Sequence, residues 1–201
     1  MNTHTWEPPA GTAGLIFDCD GTLADTMPAH YKAWTAMLDR FAIPFPEARF
    51  YAMGGMPTAG IIRILAADAG VVVTDVDAMV LEKEAGFLAY LDAVVAVAPV
   101  LAIAAAFRGK LPLAVASGGY RDTVTRTLDQ LNVRDWFDAV VTAEDTPRHK
   151  PEPDVFLEAA KRLGVEAAKC VVFEDTDIGL EAARRAGMTG IDVRPWVTRA
   201  V

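Results

Sequence analysis

Short apolar runs that stop at polar residues alternate along this chain with longer stretches in which apolar positions recur at helical spacing. Leu15-Ile16-Phe17 lies between Gly14 and Asp18. Residues 111–116 form a second run ending at Ser117, residues 138–142 a third, residues 170–173 a fourth ending at Glu174-Asp175, and residues 190–193 a last. Such short continuous runs predict strands buried on both faces. Between them stand helical patterns. Residues 99–107 open on Pro99 and close before Gly109, residues 120–131 follow Ser117-Gly118-Gly119, residues 153–163 close at Gly164, and residues 177–186 close at Gly187. Strand and helix in alternation predict an α/β fold, a doubly wound parallel sheet with helices on both faces.

One block breaks this alternation. Trp34, Met37, Leu38 and Phe41 share a helical face, and Pro44 and Pro46 end that helix. Ile61, Ile62 and Leu65 mark a second helix stopped by Gly70. Thr74 and Asp77 have the form of a capping pair that opens a third helix through Leu81, Ala85, Leu88 and Leu91. Only Val71-Val72-Val73 hints at a strand here. Residues 27–96 therefore read as an all-helical insertion, and residues 1–26 with 97–201 as the α/β core. Residues 1–13, polar with Pro8-Pro9 and Gly11, predict a loose arm.

Composition narrows the function classes. The 201 residues are 52% hydrophobic and 23% charged, ample for a packed core, and carry a formal charge of -8. That balance argues against nucleic acid or an anionic membrane as partner, and it obliges any anionic substrate to find local positive groups. No apolar run approaches the ~20 residues of a membrane span; residues 94–107 are interrupted by Pro99. The first residues show neither a basic start nor an apolar signal region, so a cytoplasmic protein is expected; a monomer is expected as well. Cys19 and Cys170 fall at opposite ends of parallel strands, too far apart for a bridge, and read as free thiols.

In an open parallel sheet, ligands bind beyond the carboxyl ends of the strands, and the polar residues of this chain collect there. Asp18 and Asp20 follow the first strand, Ser117 closes the second, Lys150 lies after the third, and Glu174 and Asp175 close the fourth. Carboxylates gathered at one point repel unless a cation lies among them, and hard oxygen ligands favour magnesium. Lys150 and Ser117, with backbone N–H groups of the Gly118-Gly119 turn before a helix, suit an anion. A metal ion and a lysine together can clamp a phosphoryl group, one carboxylate can attack phosphorus, and another two residues on can move a proton. Asp177 reads as a helix cap, His149 as an ordinary loop residue, and Cys19 as an apolar spacer.

With those residues in view, the chain resembles the haloacid dehalogenase superfamily. Asp18-Cys19-Asp20-Gly21-Thr22 is similar to its first motif, Ser117 to its second, Lys150-Pro151 to its third and Glu174-Asp175 to its acidic fourth, in the family's order. Residues 27–96 stand where a subgroup carries a helical cap. Asp25-Thr26, His30 and Ala33-Trp34 resemble the β-phosphoglucomutase-like subgroup. Residues 171–187 and the Gly-Met-Pro-Thr turn at 55–58 look most like bacterial phosphatases of fructose-1-phosphate and 6-phosphogluconate.

The resemblance implies a Mg2+-dependent phosphomonoesterase for small sugar or sugar-acid phosphates, working through an aspartyl-phosphate. By it, Asp18 is the nucleophile and a metal ligand. Asp20 is the general acid/base and lends its backbone carbonyl to the metal. Ser117, Gly118 and Lys150 hold the phosphoryl group, and Glu174 and Asp175 complete the metal site. His30 and Thr58 are candidate contacts from the cap. The mutases of the subgroup carry an arginine in the cap loop for a second phosphate. Residues 55–58 have none, and Arg63 lies further on. This favours hydrolysis, with a phosphosugar mutase as the alternative.

Overall fold

Strands and helices follow one another in chain order in the computed structural model, which describes residues 6–197. The strands are β1 (Gly14–Phe17), β2 (Ala24–Asp25), β3 (Val95–Ala96), β4 (Leu113–Ala116), β5 (Ala139–Val141), β6 (Cys170–Glu174) and β7 (Thr189–Asp192). The helices are α1 (Met27–Leu38), α2 (Glu47–Ala52), α3 (Thr58–Ala69), α4 (Val76–Leu88), α5 (Ala98–Phe107), α6 (Arg121–Gln130), α7 (Asp154–Leu163) and α8 (Asp177–Arg185). The main sheet is parallel throughout, in the order β5-β4-β1-β6-β7. The chain leaves β1 toward β4 on one side and returns through β6 on the other. The strand order thus reverses beside β1, and its carboxyl end faces the crevice where such sheets bind ligands.

The apolar runs form strands because both faces of the sheet are covered. Side chains alternate across a strand, so Leu15, Phe17, Leu113, Val115, Val171 and Phe173 pack against α5 and α6 through Val100, Ile103, Val124 and Leu128. Ile16, Ala114, Ala116 and Val172 pack on the other face against Val155, Phe156 and Ala159 of α7 and Ala182 and Ala183 of α8. Helices α1 to α4 bury a core of their own around Trp34, Met37, Leu38, Phe50, Ile62, Leu65 and Met79. Two short linkers join this helical unit to the sheet. They pair antiparallel as β2 and β3, with Ala24 opposite Ala96 and Asp25 opposite Val95.

Several local expectations change. Helix α1 ends at Leu38, and a 3-10 turn leads to Ala42 in the left-handed region (φ 52°), leaving Phe41 exposed. Helix α2 went unanticipated because its six residues bury only Phe50, too few for a period to show. Asp75, not Thr74, caps α4, its side chain accepting from the Ala78 N–H at 2.9 Å. That helix stops at Leu88 and buries Met79, Val80, Lys83 and Phe87, while Leu81 is 71% exposed. Val71-Val72-Val73 form no strand. Thr176 caps α8, and Asp177 is its first residue, paired with Arg194. The described part of the arm is pinned: Trp6 packs edge-on against Phe173, ring centroids 4.9 Å apart. Residues 1–5 lie outside the described residues. Cys19 and Cys170 are buried and free. Among the described residues no helix is long and apolar enough to cross a membrane.

Candidate active site

Asp18 is held at the end of β1 because its N–H still donates to Phe173 O of β6 at 3.0 Å. The chain then folds back on itself, with Gly21 N–H donating to Ala24 O and Leu23 and Ala24 N–H to Cys19 O. Gly21 sits at φ +82°, and a Cβ there would fall 2.2 Å from Asp175 Oδ2, so only glycine lets this turn approach the end of β6. Thr22 Oγ1 donates across the same gap to Asp175 Oδ1 at 3.2 Å. Ser117, at the end of β4, accepts from Gly119 N–H and donates to Asp20 Oδ2 at 3.4 Å.

Lys150 enters from the loop after β5, just before a cis bond to Pro151. Its ammonium donates to Asp18 Oδ1 and to Glu174 Oε2, both at 2.7 Å. Glu174 is otherwise committed to its own loop. Its Oε1 accepts from Asp175 N–H, Thr176 N–H and Thr176 Oγ1. Asp18 Oδ2 has no hydrogen-bond partner among the described residues, while Oδ1 is fixed by Lys150.

The charges respond to this crowding. Burial drives the Asp18 carboxyl well above its usual range, and Glu174, Asp175 and Asp20 add to that against the pull of Lys150. Burial and the neighbouring Glu174 push Asp175 up to about 7. For Lys150 burial works against the charge, yet the two carboxylates beside it more than compensate and its pKa rises. A pair of raised carboxyls beside an already engaged lysine is a site short of positive charge. Asp18, Glu174 and Asp175 each offer an oxygen within 4.8 Å of the others. Hard oxygen donors in that compass fit a magnesium-sized cation.

Asp20 behaves differently. Burial again disfavours its charge, but hydrogen bonds from His30 Nε2 (3.2 Å) and Thr26 Oγ1 (2.8 Å), with the charge of Lys83, hold it down to about 2. His30 is stacked on Phe87, and Lys83 Nζ lies 3.0 Å from its Nδ1. An ammonium can only donate, so Nδ1 accepts and the ring proton sits on Nε2, directed at Asp20. Burial and then Lys83 lower the His30 pKa, in keeping with a neutral ring. Lys83 also pairs with Glu84 Oε1 at 2.9 Å, and Glu84 takes further hydrogen bonds from Thr58 and Thr123. Lys83 and Glu84 escaped the sequence reading, which placed the buried face of α4 on Leu81, Ala85 and Leu88.

The structure thus brings Asp18, Asp20, Ser117, Gly118, Lys150, Glu174 and Asp175 to one cavity, with His30 and Thr58 on its helical side. His149 is exposed and Arg63 lies outside this lining. The free volume is about 120 Å3, below the roughly 300 Å3 of an ordinary ligand site. The helical unit is seated on the core through Gly55, whose Cα faces Ile178, and through Glu84 with Thr123.

Comparison with known proteins places this geometry. A haloacid dehalogenase-like hydrolase family model matches residues 12–187. The fructose-1-phosphate phosphatase YqaB of Escherichia coli is 40% identical over 90% of this chain and 96% of its own length. The 6-phosphogluconate phosphatase of Escherichia coli is 29% identical over 87% of this chain and 79% of its own. A crystal structure of a hydrolase from Pseudomonas syringae superposes with a TM-score of 0.80 at 28% identity, covering 90% of this chain and 84% of that one.

Proposed function

The chain belongs to the haloacid dehalogenase-like hydrolases, and on that premise we propose that it is a magnesium-dependent phosphatase of small sugar phosphates working through an aspartyl-phosphate. The observation that carries the reading is the Lys150 ammonium held 2.7 Å from both Asp18 and Glu174, with Asp175 raised beside them. Names of two relatives, phosphatases of fructose-1-phosphate and of 6-phosphogluconate, supply the substrate class.

In this reading Asp18 Oδ2, the oxygen left free by Lys150, attacks phosphorus and the ester P–O bond breaks. The departing sugar oxygen takes a proton from Asp20. That proton is loaded when the anionic phosphate arrives, since a nearby negative charge raises a carboxyl pKa. Asp20, again a carboxylate, then removes a proton from water. The resulting hydroxide displaces Asp18 from phosphorus and frees phosphate. Ser117, the Gly118 backbone and Lys150 steady the phosphoryl oxygens. Magnesium would be held by Asp18 and Asp175 with the Asp20 carbonyl, and would supply positive charge beside the transferring group. Glu174 serves by fixing Lys150 and the loop after β6.

Residues 27–96 act as a cap in this scheme, hinged at the β2–β3 pair. Substrate enters when the cap lifts, and closure excludes water from the first transfer. A mutase reading needs a cation for a second phosphate. Among the described residues the lysines lining the cavity are Lys83 and Lys150, both already in ion pairs, and no arginine lines it, so hydrolysis is favoured.

The test is phosphate release from a panel of phosphorylated metabolites with and without Mg2+. Release is expected only with the metal. Asp18→Asn should lower kcat by about 1,000-fold or more, and unchanged turnover in that variant would refute the role given to Asp18. Interconversion of glucose phosphate isomers with a bisphosphate primer, and no free phosphate, would point instead to the mutase.

A further inference from the structure

The distal wall of the cavity, opposite the phosphate site, is built by the helical unit. It is largely apolar, from Trp34, Phe50, Met53, Met56 and Ile61, and its charged groups are Lys83 and Glu84. Their hydrogen-bonding capacity can be counted. Lys83 has three N–H bonds. It meets His30 Nδ1 at 3.0 Å and Glu84 Oε1 at 2.9 Å, and it stands 5.6 Å from the centroid of the Trp34 ring, where the face accepts a cation. It is buried, with 5% of its side chain exposed, and two of its three N–H bonds are engaged.

Glu84 Oε1 accepts from Lys83 and from Thr58 Oγ1 at 3.2 Å, which fills both lone pairs. Among the described residues Oε2 accepts from Thr123 Oγ1 alone, at 3.2 Å. One acceptor site therefore remains on Oε2, and the carboxylate is 15% exposed. Thr58 Oγ1 donates to Glu84 and keeps its own acceptor capacity. The wall thus presents a carboxylate with an acceptor site open, beside a lysine already paired with it.

From this we infer that Glu84 selects the substrate's far end, admitting phosphate esters that carry neutral hydroxyls there and rejecting those that carry a carboxylate or a second phosphate. A sugar hydroxyl can donate to Glu84 Oε2 and to Thr58 Oγ1. A distal anion would instead meet that carboxylate, whose neighbouring cation is already paired with it, a repulsive element of the kind that sets specificity by excluding the competitor. The inference rests on the phosphatase reading above and adds a residue and a direction of preference to it.

The test compares kcat/KM for fructose-1-phosphate, whose far end is neutral, with that for 6-phosphogluconate, whose far end is a carboxylate, in the Mg2+-loaded enzyme. The wild type should prefer the neutral ester by about tenfold or more. Glu84→Gln is nearly isosteric. It removes the repelling charge and releases Lys83 from its ion pair, so the preference should shrink by about tenfold, chiefly through a lower KM for 6-phosphogluconate. Thr123→Val breaks the contact between Glu84 and the core without changing the wall's charge, and should alter both substrates alike.

A wild type that handles the two esters equally, or favours 6-phosphogluconate, overturns the inference whether or not the variants fold. So does a folded Glu84→Gln enzyme that loses activity on both in the same proportion. In either case phosphate is still released, so the phosphatase reading survives. Release from no ester by the folded, Mg2+-loaded wild type ends that reading and this inference with it.

Discussion

At the scale of single residues, the site divides into groups that face the phosphate and groups that hold those in place. Asp20 is clasped by Thr26 and His30, and His30 keeps its proton on Nε2 because Lys83 occupies Nδ1. In the proposed scheme Lys83 is a positioning residue for Asp20, acting through the imidazole whose pKa it lowers. Replacing it by methionine keeps the bulk of the stem and removes the donor. Lys83→Met should lower kcat about 10- to 100-fold, the scale on which a slightly misplaced catalytic group loses rate. Its signature is electrostatic. Burial and Lys83 both lower the His30 pKa, so without Lys83 the imidazole should titrate at higher pH, with a shift visible in its proton resonances. A His30 titration identical in both proteins would make Lys83 a packing residue only.

At the scale of elements, the join between the helical unit and the core includes contacts that the sequence places far apart. Gly55 stands at φ +81°, and a Cβ there would lie 2.7 Å from Ile178 Cδ1. Gly55→Ala should therefore keep the cap loop from seating. The expected result is a fall of about tenfold in kcat/KM for sugar phosphates with a loss of stability near 1 kcal/mol, read by steady-state kinetics beside thermal melts. An unchanged kcat/KM would show that this seating is not needed for turnover. The same elements show what the chain made legible. Strands β1, β4 and β6 could be read because sheets covered on both faces demand unbroken apolar runs, and those runs end abruptly at Asp18, Ser117 and Glu174. Their convergence followed from topology alone. Helix α4 was harder. Its apolar residues run all round, and its true inner face carries Lys83 between Val80 and Phe87. A lysine inside the Met79, Val80, Phe87 stripe was the available sign of a buried polar role, outweighed by the more conspicuous Leu81 and Leu88. The pinning of Trp6 was illegible for another reason, since one aromatic in a proline-rich arm has no period to betray its partner.

For the whole molecule, the decisive property is that a chain of formal charge -8 concentrates carboxylates where a phosphate must arrive. Burial and mutual repulsion there favour the protonated carboxyls. Asp18 is raised by burial and by its acidic neighbours, and Asp175 is raised to about 7 from an ordinary 3.8. The sign of the consequence follows from proton counting. Between those two values the folded protein holds more protons than the unfolded chain, so stability falls as pH rises through that window and levels off above it. A divalent cation competes for the same carboxylates once they are ionised. Saturating Mg2+, at about 100 times its Kd, adds about 2.7 kcal/mol, which corresponds to roughly 5–10 °C in a domain of this size. Below the window protons already fill the site, and the gain should shrink. Melting curves with and without Mg2+ should therefore diverge at about pH 8 and draw together near about pH 5. Asp175→Asn should flatten the metal-free pH dependence and reduce the gain from Mg2+ together. Equal gains at both pH values, or a gain that survives in Asp175→Asn, would separate the metal from these carboxylates and leave the phosphate clamp to Lys150 alone.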